Sequence, residues 1–116
     1  MKRYLYTRIT ATDTALDVDS NSKAVIDAVK DTLMDVYEHP RKAVILYDRE
    51  EFSLFTLSMS MKPEIGPRYY EAGWLVLSRL LQDGWEPFAT NLPREGRNDI
   101  DIHLRYLVEQ ESEGKI

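Results

Sequence analysis

The stretch Leu77-Ser78-Arg79-Leu80-Leu81-Gln82-Asp83-Gly84-Trp85-Glu86-Pro87-Phe88 constrains the fold of this chain more than any other. Tyr70, Trp74, Leu77, Leu80 and Leu81 recur at helical intervals, which predicts one apolar face of a helix turned into a core. Gly84 stands where a helix commonly ends in a left-handed residue, and Pro87 prevents the helix from resuming. The chain must leave this corner extended. Trp85 and Phe88 are therefore expected to cap the core where helix passes into strand.

Residues 3–11 alternate, with Leu5, Ile9 and Ala11 on one side and Tyr4, Tyr6 and Arg8 on the other, as in a strand with one wetter face. Residues 12–21 read as turn-forming. A stripe of Val25, Ile26, Val29, Leu33 and Val36 predicts a helix over 22–38, limited by Pro40. Ala43-Val44-Ile45-Leu46-Tyr47 is a short apolar run suited to a central strand, and Asp48 to Glu51 read as the polar turn after it. Phe55, Leu57, Met59 and Met61 then alternate with Thr56, Ser58 and Ser60 in a half-buried strand. Pro63, Gly66 and Pro67 break the chain before a second helix over 68–83. Strands at 86–91 and 100–108 flank a polar loop from Leu92 to Asp99.

The expected order is β-α-β-β-α-β-β, an α+β domain over residues 1–108 with a flexible charged tail at 109–116. That order is the split β-α-β pattern of a ferredoxin-like antiparallel sheet, with two helices on one face and an extra C-terminal strand. The other face then carries Tyr4, Tyr6, Thr56, Ser58, Ser60, His103 and Arg105. A half-polar face bearing tyrosines suits a homodimer contact or a ligand.

Leu77, Leu80, the Asp83-Gly84-Trp85-Glu86 corner and Phe88, followed by a polar loop and the strand Ile102-His103-Leu104-Arg105-Tyr106, resemble a family of small bacterial and phage domains of unknown function. That family is recognised by a leucine-rich helix, an acidic-Gly-Trp-Glu corner and a closing strand. Leu81 stands where the family usually has a second glycine, and Pro87 is unusual after the glutamate. The resemblance implies a small α+β fold and brings no established catalytic residues.

Twenty acidic residues against fifteen basic ones give a formal charge of −5, which argues against a surface built for nucleic acid phosphates or an anionic membrane. The absence of cysteine removes disulfides, thiolate nucleophiles and sulfur-ligated metals. With no signal-like N-terminus and no apolar run of membrane-spanning length, a cytoplasmic protein is expected. Asp17-Val18-Asp19-Ser20-Asn21 imitates the opening of a calcium loop, but Ser22 and Ala28 occupy the positions that need glycine and glutamate, so these residues are assigned to capping the first helix. No metal and no cofactor is expected. His39, before Pro40, reads as solvated.

Ser58 and Ser60 lack the strand-turn-helix elbow of a nucleophile. Gly66-Pro67-Arg68-Tyr69-Tyr70 at a helix N-terminus offers free N–H groups and a guanidinium fork for a carboxylate or phosphate, over which Arg94 and Arg97 could close. The candidate ligand-binding set is Arg68, Tyr69, Arg94, Arg97, His103 and Arg105. The expected function is a non-enzymatic binding or assembly module, homo-oligomeric, taking a small anionic ligand or a protein partner. The alternative is a small enzyme using His103 with Asp101 or Tyr106 as acid and base.

Overall fold

The computed structural model describes residues 2–12, 15–35, 44–51, 54–61, 69–91 and 99–110. In chain order the elements are β1 (Lys2–Ala11), β2 (Leu16–Ser20), α1 (Lys23–Leu33), β3 (Val44–Glu51), β4 (Leu54–Met61), α2 (Tyr69–Gln82), β5 (Glu86–Thr90) and β6 (Ile100–Gln110). They form an α+β fold with one six-stranded sheet in the order β3-β4-β2-β1-β6-β5, every neighbouring pair antiparallel. The order is consistent with a ferredoxin-like-type sheet. β2 and β3 are both antiparallel to β4, which lies between them, so β2-α1-β3 is a split β-α-β unit.

Both helices lie on one face and pack against each other and against the central strands. Ile9, Ala11, Leu16, Val18, Leu57, Met59, Ile100, Ile102 and Leu104 point from the sheet into a single core, where they meet Val25, Ile26, Val29 and Leu33 of α1. From α2 come Tyr69, Ala72, Val76, Leu77 and Leu80. Gly73 brings α2 close to the sheet, because a methyl group there would stand 3.1 Å from the Ala11 Cβ.

Residues 16–20 correct the expectation of a turn across 12–21. Leu16, Val18 and Ser20 are buried, so the segment is an inner strand, β2. The acidic residues between them do not cap α1. Asp19 accepts from the Thr56 hydroxyl at 2.7 Å and Asp17 accepts from the Ser58 hydroxyl, both across the β2–β4 ladder. Ser22, at the helix start, makes no side-chain cap. Residues 48–51 are likewise strand rather than turn, because β3 runs through to Glu51. The apolar run expected in a central strand therefore lies at a sheet edge. β6 continues to Gln110, through the first residues of the expected tail.

The corner at Gly84 takes the expected shape, with φ at +96° and Trp85 buried. Two assignments around it change. Trp74 and Leu81 sit on the outer side of α2, 57% and 45% exposed, since Ala72, Gly73 and Val76 join the expected Leu77 and Leu80 in the buried stripe. Phe88 turns away from the core, 48% exposed. Pro87 fits because β5 is an edge strand, where a missing N–H need not break a ladder.

Candidate functional site

The face of the sheet that neither described helix covers is a lattice of cross-strand rows. Register places Arg49, Thr56, Asp19, Arg8 and His103 in one row, and Ser58, Asp17, Thr10 and Asp101 in the next. On the other side of the first row, Tyr6, Arg105 and Glu86 are aligned. Opposed residues in such rows stand close enough to bond. The β-strand period of two, which sends Leu5, Thr7 and Ile9 inward, sends Tyr4, Tyr6 and Arg8 onto this face.

At its centre Arg8 grips Asp101 with two parallel bonds, Nε to Oδ1 at 2.9 Å and a terminal nitrogen to Oδ2 at 2.8 Å. Asn91 donates to the same carboxylate. These donors hold the Asp101 carboxyl below the usual aspartate range, the Arg8 bonds first, while burial opposes them. His103 lies beside this pair, its Nε2 3.5 Å from Asp101 Oδ1 and its Nδ1 2.6 Å from the Tyr6 hydroxyl. A carboxylate on the Nε2 side favours the ring proton there, which leaves Nδ1 to accept the Tyr6 hydroxyl proton. Burial pushes the Tyr6 phenol above its ordinary value, with Arg8 opposing and Asp19 and Asp101 adding to the rise.

Toward β5 the face becomes aromatic. Phe88 lies 6.2 Å from Tyr6 and 6.1 Å from His103, ring centroid to ring centroid. The Arg105 guanidinium sits 4.9 Å from the centre of the Tyr4 ring and 5.7 Å from that of Phe88. Glu86 faces the same guanidinium at 3.4 Å across the β5–β6 ladder. Toward β3 the surface dips into an open concavity of about 480 Å³, lined by Tyr6, Arg8, Asp19, Arg49, Glu51, Leu54 and Thr56.

Of the residues proposed from sequence, His103 and Arg105 come together on this face. Tyr69 does not join them, because it is buried in the core beneath α2. Arg68, Arg94, Arg97 and His39 lie outside the described residues. Asp101 does approach His103, whereas Tyr106 is on the helix side of β6, 5.6 Å from the Trp85 ring. Tyr6 takes the place the sequence analysis offered to Tyr106. Arg8, Asn91 and Phe88 are further members that sequence reasoning did not assign. For Arg8 the signal was available in the strand alternation, but pairing with Asp101 depends on the β1–β6 register.

Among the described residues no cluster of histidine and carboxylates has metal-binding geometry. Among the described residues, too, no helix is long and apolar enough to cross a membrane. Comparison with known proteins finds no matching family model, curated protein or solved structure.

Proposed function

We propose that the protein is a non-catalytic binding module whose open sheet face recognises a protein partner through the cluster Tyr4, Tyr6, Phe88, His103 and Arg105. The observation that carries this reading is Phe88, half exposed yet set against Tyr6, His103 and Arg105. An arginine between the Tyr4 and Phe88 rings, beside a Tyr6–His103 pair already fixed by an internal hydrogen bond, is the composition of a binding hot spot that loses little entropy on docking. In fold terms we read β2-α1-β3-β4-α2-β5 as a ferredoxin-like unit, with β1 and β6 inserted side by side between β2 and β5.

Two features favour recognition over chemistry. A Tyr6 phenol pushed up in pKa serves as a hydrogen-bond donor rather than as a nucleophile or base. Asp101 is saturated by Arg8 and Asn91, so it orients His103 without a carboxylate oxygen in reserve for substrate. A protein partner suits the face better than a small anion, since Asp17, Asp19, Asp101, Glu51 and Glu86 accompany the arginines there.

Native mass spectrometry of the chain purified from its own cells tests the reading. A copurifying protein bound by the wild type and absent from Phe88→Ala/Arg105→Ala, with the melting temperature preserved, is the expected result. Equal retention by both proteins would contradict it.

A further inference from the structure

Within the cluster Tyr4, Tyr6, Phe88, His103 and Arg105, His103 alone belongs to a residue type whose charge changes between about pH 5 and 8. Among the described residues, the groups that face it come from four strands. Arg8 and Tyr6 belong to β1, Asp101 and Arg105 to β6, Glu86 to β5, and Asp19 to β2, beside Arg8 in the ladder. While His103 is neutral, each cation beside it has a carboxylate: Arg8 pairs with Asp101 and Arg105 with Glu86, and Asp19 accepts from Thr56. Tyr6 is held in one role. Its hydroxyl lies 2.6 Å from Nδ1 of His103, whose Nε2 faces Asp101, so the phenol spends its single proton on the neutral ring and offers only lone pairs to an incoming group. Burial pushes the phenol pKa up, so Tyr6 keeps that proton across the range in which histidines titrate.

We infer that His103 is a pH-operated release switch for the partner that docks on this face, an inference that rests on the recognition reading above. Uptake of one proton from solvent at Nδ1 reverses the bond to Tyr6. The imidazolium donates where the ring accepted, the Tyr6 oxygen accepts, and the phenol proton, still on Tyr6, turns outward. The surface exchanges an acceptor for a donor at Tyr6 and gains a positive charge at His103. That charge has no carboxylate of its own, because Asp101 is already engaged by Arg8 and Asn91. A partner seated against Phe88 must cover the imidazolium and strip its water, a cost that the neutral ring does not impose. In the free chain the His103 side chain is 23% exposed, so the proton has a way in. Docking therefore weakens as pH falls through the histidine range, and by linkage a docked partner makes His103 harder to protonate.

NMR of the free chain, with nitrogen-15 in the histidine rings, tests the switch without a partner. The chain has two histidines, and His103→Asn tells their signals apart. At about pH 8 the expected His103 carries its proton on Nε2 with Nδ1 bare, and toward about pH 5 both nitrogens are protonated while the Tyr6 ring resonances shift with the same midpoint. A proton on Nδ1 at the higher pH, or a Tyr6 ring that does not follow the titration, overturns the proposal. In native mass spectrometry the copurifying partner should be retained about tenfold better at about pH 7.5 than at about pH 5.5. His103→Asn, neutral throughout, should hold it equally at the two pH values whatever its absolute affinity, and His103→Gln reads the same contrast should that variant fail to fold. Retention that is unchanged or greater at the lower pH in wild type, or that falls equally in the variant, overturns the switch. A chain that retains no partner overturns the recognition reading and the release function with it, whereas a failed bond reversal beside a retained partner overturns the switch alone.

Discussion

The two faces of one sheet follow different rules. Beneath the helices, Ile9, Val18, Leu57 and Leu104 are fully or almost fully buried, and the core's cohesion comes from apolar area removed from water. On the open face most of the polar groups named above have a partner, yet Phe88 remains exposed and Arg8 and Arg105 only half-buried. Stability is concentrated on one side of a layer a single strand thick, and the proposed recognition surface lies on the other. The two properties should therefore respond to different substitutions.

Trp85→Ala should have the largest effect, costing about 3 kcal/mol as expected for emptying a buried aromatic site. Thermal melts check it, and a loss no larger than that of a surface substitution would break the contrast between the faces. Gly84→Ala should cost about 1–2 kcal/mol, because φ is positive there and the new methyl would stand 3.3 Å from the Tyr106 ring. Denaturant midpoints compared with an exposed control, Ser78→Ala, measure that loss.

On the open face, Asp101→Asn should cost about 1 kcal/mol near neutral pH, since Arg8 is partly solvated and keeps water as an alternative partner. Its pH dependence is more specific. The folded-state pKa of Asp101 is depressed, so its contribution is fully present above the ordinary aspartate range and is lost as pH falls through the depressed value. Wild type and Asp101→Asn should differ in stability at neutral pH and converge in acid. Tyr6 behaves oppositely, its raised pKa giving a contribution present below the ordinary tyrosine range and lost as pH rises through the folded value. Tyr6→Phe should accordingly flatten the alkaline limb of the stability profile.

What the sequence disclosed divides along the same lines. The α2–β5 corner was legible because glycine, tryptophan and proline act locally, and the alternation of β1 and β4 assigned their faces correctly. β2 was missed because Asp17, Asp19 and Ser20 carry turn propensity. Their hydroxyl partners Ser58 and Thr56 are remote in sequence, and only pairing makes an inner strand of them. The α2 face was misjudged because Trp74 and Leu81 fit helical spacing as well as Ala72 and Gly73 do. Small residues win where a helix must approach the sheet closely. The Tyr6–His103–Asp101 chain was only half legible, since it joins two strands from opposite ends of the sequence.

The separation of stability from recognition meets its most direct test in Phe88→Ala/Arg105→Ala, measured by melting and by native mass spectrometry on the same preparation. The expected result is a stability change of no more than about 0.5 kcal/mol, as for exposed positions, together with loss of the copurifying partner. A loss of stability approaching that of Trp85→Ala, with the partner still bound, would show that the cluster holds the fold together and that recognition resides elsewhere.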